Sequence, residues 1–233
     1  MKTYTIIGGS STIAQTLIKS QENQDVSLLV FSRSENLFPD QKNVNWQQFN
    51  IIEDEFNPEI IPASVDALVY FPGTINLKPF QTLKTEDFKN DLEINFFGAV
   101  KAVKAFYRPL RKSGNGSVVL FSTVAAKVGM PYHASIASAK AAVEGLTRSL
   151  AAEFAPHIRV NCIAPSLTET QMASKLLSNK ERRNSIAQRN PMKKIGQPRE
   201  LAKLVEFLAG EKSSWITGQI IGIDGGMSTL NLS

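Results

Sequence analysis

Ser117–Ala152, SVVLFSTVAAKVGMPYHASIASAKAAVEGLTRSLAA, is the stretch whose reading decides the fold. Ser117 to Phe121 reads as a buried strand, apolar from Val118 on, that ends in polar Ser122 and Thr123. Such a run suits a strand buried on both faces. A loop with Gly129 and Pro131 follows, and then an Ala-rich helix from His133 to Phe154 with Lys140 near its start. Polar groups at the carboxyl end of a strand, opposite a helix that carries a lysine, stand where an open parallel sheet keeps its ligands. A packing helix with an incidental lysine would give the same letters, so the surrounding chain decides between the two.

Working outward, apolar strand runs alternate with helical patterns. Tyr4–Ile7, Ser27–Phe31, Trp46–Phe49, Asp66–Phe71, Ile158–Ala164 and Ile220–Ile223 read as strands. Thr12–Ile18, Thr85–Arg111, Glu169–Gln188 and Arg199–Ala209 read as helices, the last set between Pro198 and Gly210. The segment between Arg33 and Trp46 is short and broken by Pro39, which predicts an abbreviated crossover. The pattern predicts an α/β fold, a Rossmann-like doubly wound parallel sheet. With no internal repeat or linker, residues 1–233 read as a single domain.

Composition narrows the function. A net charge of +5 without an aromatic-interleaved basic stripe argues against nucleic acid, since runs such as Lys180-Glu181-Arg182-Arg183 mix their signs. The amino terminus reads as a first strand rather than a signal peptide, and no apolar run approaches membrane-spanning length. Cys162 is the single cysteine, in an apolar strand pattern; it excludes an internal disulfide and fits a reducing, cytoplasmic setting. No metal-binding cluster is read from the sequence.

The first strand runs into Gly8-Gly9-Ser10-Ser11 and then a helix. Free N–H groups and the dipole at a helix start favour a phosphate, and the glycines allow close backbone approach. After the second strand come Ser32 and Arg33, with no carboxylate near. An acidic residue there would bond the ribose 2′-OH of NAD, whereas an arginine accommodates the 2′-phosphate of NADP.

These features together resemble the short-chain dehydrogenase/reductase family, over nearly the whole chain. That family carries a serine, then about a dozen residues, then Tyr-x-x-x-Lys. Counted back from Lys140, Thr123 stands at the serine and Ile136 at the tyrosine. The family's turn, Thr-Gly-x-x-x-Gly-x-Gly, is similar to Ile7-Gly8-Gly9-Ser10-Ser11-Thr12-Ile13-Ala14, with Thr12 and Ala14 at the later glycines. Asn50-Ile51 resembles its Asp-Val beside the adenine, and Phe71-Pro72-Gly73 its Asn-Ala-Gly. Asn95-Phe96-Phe97-Gly98 matches the motif of its catalytic asparagine. The run through Pro165, Ser166, Thr168 and Thr170 resembles the segment that holds the nicotinamide, while Trp215–Gln219 and Asp224-Gly225-Gly226 match its carboxyl-terminal signature.

The resemblance implies an NADP(H)-dependent oxidoreductase, NADP(H) preferred over NAD(H), moving hydride between the nicotinamide and a small-molecule carbonyl, alcohol or enone. Catalysis would fall to Thr123, Lys140 and Asn95. Cofactor binding would fall to Gly8, Ser10, Ser11, Thr12, Ile13, Ser32, Arg33, Asn50, Ile51, Gly73, Lys140, Pro165, Ser166, Thr168 and Thr170. Ile136 can transfer no proton, and loss of a positioned general acid costs about 10²–10⁴-fold. At 100° per residue His133 falls about 20° from Lys140 around the helix, and Tyr132 sits at the loop–helix junction; either could restore an acid, as could solvent. Two rival readings remain open: a catalytically impaired NADP(H)-binding sensor or partner subunit, and a structural protein that binds no nucleotide. The helices around Asn95 and Lys140 carry apolar Phe96, Val100, Val143 and Leu146, the faces through which family members form homodimers or homotetramers.

Overall fold

All seven strands enter one parallel sheet, in a computed structural model that describes residues 1–231. In chain order the elements are β1 (Lys2–Ile7), α1 (Thr12–Ser20), β2 (Val26–Ser32), β3 (Val44–Gln48), β4 (Ala67–Tyr70), α2 (Thr85–Leu92) and α3 (Gly98–Lys112). Then follow β5 (Gly116–Phe121), α4 (Ala134–Phe154), β6 (Ile158–Pro165), α5 (Lys180–Arg189), α6 (Pro198–Ala209) and β7 (Ile220–Ile223). The sheet order is β3-β2-β1-β4-β5-β6-β7. This is a single Rossmann-like α/β domain.

The continuous apolar runs supply two cores, because successive side chains point to opposite faces. In β5, Val118 and Leu120 enter the layer under α3 and α4, with Phe106 and Val143. Val119 and Phe121 enter the opposite layer, under α1 and α6, with Leu17 and Val205. β4 divides in the same way, Leu68 and Tyr70 against Ala67 and Val69. Among the described residues no helix is long and apolar enough to cross a membrane.

The order reverses between β1 and β4. Because every strand is parallel, the carboxyl ends of β1, β2, β4, β5 and β6 open on one edge, and a crevice forms there. No helix joins β2 to β3, as the short crossover predicts.

Three expectations are corrected. β3 begins at Val44, which pairs with Leu28, and ends before Phe49, whose ring stacks on Phe56 in the core. Helix over Glu169–Gln188 is confined to a single 3₁₀ turn at Gln171–Ala173 and to α5, which starts only where Asn179 caps it through a bond from the Arg182 N–H (2.8 Å). Val143 lies in the core rather than on an outer face, because the sheet-facing stripe of α4 runs through it.

Candidate active site

At the crevice, Gly8 takes φ +84°, and a side chain there would meet the Pro72 ring at 2.9 Å. A Cβ on Gly9 would lie 2.3 Å from Val30 and 3.0 Å from Trp46. The glycine pair thus lets the turn sit between β2, β3 and Pro72. Its N–H groups bond the Phe31 carbonyl (2.8 and 3.1 Å), so they are spent inside the protein and do not serve a phosphate. The anion-binding capacity belongs to the next residues. Ser11 occupies the start of α1 with its hydroxyl making no capping bond, which leaves the first helical N–H groups open beside Ser10, Thr12 and Ile13. The Thr12 hydroxyl accepts from the Gln171 N–H (3.1 Å), tying this turn to the segment after β6. Ile13 packs against the α1–α6 core.

Ser32 is buried at the end of β2, its hydroxyl 3.2 Å from that of Ser34. Arg33 is exposed, and among the described residues its guanidinium has no hydrogen-bond or ionic partner. The Asn50 side chain accepts from the Ile52 N–H (3.2 Å), and Ile51 turns its side chain into the core. Ile51 can therefore offer a ligand only its backbone.

Asn95 lies in a π turn, Glu93–Phe97, between α2 and α3. Such wide turns recur at functional sites. The Tyr70 hydroxyl donates to the Ile94 carbonyl (2.6 Å), and burial pushes its pKa far up, so it stays a donor. Gly98 makes this possible: a Cβ there would lie 2.1 Å from the Tyr70 oxygen. The glycine of the Asn-Phe-Phe-Gly motif thus has a packing reason.

Lys140 is buried and donates from Nζ to the Phe121 carbonyl at the end of β5 (2.9 Å). Burial lowers its pKa to about 8, opposed in part by the Asp91 carboxylate. A Cβ on Gly73 would lie 3.2 Å from Asn95 Oδ1 and 3.5 Å from Lys140 Nζ, so the amide oxygen and the ammonium flank one small gap. Asn95 Oδ1 is buried and among the described residues has no partner. An orphaned acceptor beside a part-used ammonium fits a hydroxyl-bearing ligand such as a ribose or a bound water.

Ser122 and Thr123 are adjacent but have different duties. Ser122 donates to Glu144 Oε1 (2.7 Å) and so holds β5 to α4. The Thr123 hydroxyl only accepts, from the Ala125 N–H (3.3 Å), and among the described residues its proton has no acceptor. Ile136 is 5% exposed, with its side chain in the interior. Tyr132 is 58% exposed, and its φ of +69° is strained for a side-chain-bearing residue. His133 stands at the start of α4 with Nδ1 2.7 Å from the Pro131 carbonyl. Pro165 ends β6. Beyond it, Ser166 donates to the Asp224 carbonyl (3.3 Å), Thr168 to the Ser166 carbonyl (3.1 Å), and the Thr170 hydroxyl accepts from the Ala173 N–H. Among the described residues no group of three metal-ligating side chains occurs.

The structure adds three residues that the sequence reading missed. Asp91, 2% exposed, accepts from Thr74 (2.6 Å) and from Ser135 (2.5 Å). Asp91 sits one helical turn before Asn95, a spacing that could have flagged it; nothing local marks Thr74 or Ser135.

The switch point of this parallel doubly wound sheet thus carries an open helix start, a buried lysine and an unpaired amide. Residues 58–228 match a family described as enoyl-(acyl carrier protein) reductase. A chloroplastic tropinone reductase homologue of Arabidopsis thaliana is 37% identical over 72% of this chain and 53% of its own. The 3-oxoacyl-[acyl-carrier-protein] reductase FabG of Thermotoga maritima is 36% identical over 70% of this chain and 66% of its own. These matches span less than two thirds of each relative's length. The solved structure of ElxO with NADP bound is 28% identical with a TM-score of 0.89, covering 98% of this chain and 99% of that one. The chain belongs to the short-chain dehydrogenase/reductase family.

Proposed function

We propose that this protein is an NADP(H)-dependent oxidoreductase that moves a hydride between the nicotinamide and a carbonyl, alcohol or enone. The observation that carries the reading is the gap at Gly73, flanked by the Lys140 ammonium and the unpaired Asn95 oxygen. The likeness to ElxO, solved with NADP and with NADPH, supports the same cofactor. When bound, the nicotinamide supplies or accepts the hydride. Lys140 then bonds a ribose hydroxyl, Asn95 Oδ1 accepts from a water or ribose hydroxyl, and Thr123 orients the substrate oxygen. Ser10, Ser11, Thr12 and Ile13 at the start of α1 face the pyrophosphate. Ser32 and Arg33 take the 2′-phosphate, and the backbone of Asn50 and Ile51 lines the adenine. Gly73, Pro165, Ser166, Thr168 and Thr170 border the nicotinamide, and residues 168–188 cover the substrate.

The test is a titration with NADPH and with NADH, following nicotinamide fluorescence. NADPH should bind more tightly, and Arg33→Ala should cost it about tenfold while sparing NADH, the worth of one charge-assisted bond. Equal binding of both cofactors overturns the preference, and binding of neither overturns the function.

A second reading rests on Ile136, which stands four residues before Lys140 where the family pattern has its tyrosine. With no proton donor there, the chain could bind NADP(H) as a catalytically impaired sensor or partner subunit. Turnover on a carbonyl and enone panel that Lys140→Ala abolishes would exclude it. Loss of that turnover in Tyr132→Phe or His133→Gln would identify the displaced donor, and persistence in both would assign the proton to solvent. The proposal also includes a homodimer or homotetramer formed along the helices around Asn95 and Lys140, where Phe97 of the π turn is exposed, and a cytoplasmic setting suited to the lone buried Cys162.

A further inference from the structure

We infer that Asp91 is a positioning residue: acting through Thr74, its buried carboxylate holds the Asn95 amide with its oxygen, not its NH₂, turned toward Lys140. The inference rests on the reading of the Lys140–Asn95 gap as the working site.

The argument follows from counting donors and acceptors. An ionised carboxylate only accepts, so the two hydroxyls against Asp91 must donate to it. Thr74 gives its one proton to Oδ1 at 2.6 Å, and Ser135 gives its own to Oδ2 at 2.5 Å. With its proton committed, Thr74 can offer Asn95 only a lone pair. The Asn95 atom 3.0 Å from it must therefore be the NH₂ group. The second Asn95 N–H donates to the Asp91 main-chain carbonyl (2.7 Å), so side chain and backbone of one residue act together. Both amide protons are spent, and Oδ1 is left facing the gap at Gly73 without a partner. A reversed amide would set two oxygens against each other at the Asp91 carbonyl and would turn an NH₂ toward the Lys140 ammonium. The assignment of amide oxygen and nitrogen is thus dictated by the hydrogen-bond chain.

A carboxylate this deeply buried is costly unless its bonds are complete, and an apolar side chain would fill the same space between α2 and α4. What the carboxylate adds is a direction: it forces Thr74 to donate one way, and so forces Asn95 to present an acceptor the other way. Ser135 immediately precedes Ile136 on α4, so the same carboxylate also ties this part of α4 to α2.

Two measurements test this, both on the full chain. Neutron diffraction of the deuterated, unmodified protein should show the Thr74 deuteron directed at Asp91 Oδ1 and the Asn95 ND₂ group directed at Thr74 and the Asp91 carbonyl. A Thr74 deuteron directed at Asn95, or a reversed amide, overturns the inference. In solution, the side-chain amide protons of Asn95 should exchange slowly in the unmodified protein and at least tenfold faster in Asp91→Leu and in Thr74→Val. The double variant should be no faster than Thr74→Val alone, and Thr74→Ser should restore protection. Ser135→Ala, which removes the other hydroxyl from Asp91, should leave Asn95 unchanged. Asn95 exchange unaltered in Asp91→Leu, or accelerated equally by Ser135→Ala, reduces Asp91 to a structural role and overturns the inference. NADPH affinity should fall about tenfold in Asp91→Leu, the worth of roughly one hydrogen bond. An unmodified protein that binds no NADPH defeats the proposed function but not the amide assignment, so the two failures are distinguishable.

Discussion

Lys140 shows at the scale of one residue how the site costs the fold. Its ammonium is buried with one carbonyl partner, and its pKa falls from 10.5 to about 8. Between those values the unfolded chain binds the proton that the folded chain has released. The stability penalty is therefore full below pH 8 and disappears as the pH rises to 10.5; at 1.4 kcal/mol per unit it is about 3 kcal/mol. Lys140→Met should stabilise the protein at pH 7 by about 1–3 kcal/mol, the lower end reflecting the Phe121 carbonyl left unpaired. That gain should fade by pH 10, as read from urea midpoints at the two pH values. A destabilised Lys140→Met protein at pH 7 would show the ammonium to be better solvated than its burial implies. Residues also divide what the sequence presented as equivalent: Ser122 is committed to Glu144, whereas Thr123 keeps a free proton.

At the scale of the element, the π turn between α2 and α3 brings Asn95 to the crevice, and two tertiary contacts hold it. Tyr70, reaching from β4, donates to Ile94, and Gly98 leaves room for its hydroxyl. Gly98→Ala should destabilise by about 1–3 kcal/mol through overpacking. Adding Tyr70→Phe should recover part of that loss, because the closest clash, at 2.1 Å, is with the hydroxyl oxygen alone. Chemical denaturation of the single and double variants measures both. No recovery in the double variant would place the strain in the helix backbone instead. Helix on either side of Asn95 was legible from the apolar period, but the wide turn was not, because it depends on Tyr70, which is separated from Ile94 by 24 positions in sequence. The stretch before α5 departs from the sequence expectation for a related reason. The polar pattern over residues 169–179 suits a helix, yet the chain there is held by the Thr170 cap and by burial of Ala173 and Leu177.

For the whole molecule, the site lies where strand order reverses, so a bound dinucleotide would span both halves of the sheet and act on the entire folding equilibrium. At 100 times its dissociation constant, NADPH should add about 2.7 kcal/mol of stability and raise the Tm by about 5–10 °C for a chain of this size. A thermal scan with and without NADPH measures this, and a Tm insensitive to NADPH would count against the crevice as its site. The alternation of apolar strands with helices, the short crossover after Arg33 and the strand-to-Lys140 stretch were determined by the sequence alone. Each depends on local periodicity or spacing, which the side-chain order carries directly. The tertiary structure decided the rest. It showed that Gly8 and Gly9 serve packing against Pro72, Val30 and Trp46, that Ile51 turns inward, and that Asp91, Thr74 and Ser135 meet behind Asn95. The Asp91 contacts depend on which atoms meet across sequence separations of 17 and 44, and no local pattern records where a buried donor finds its acceptor.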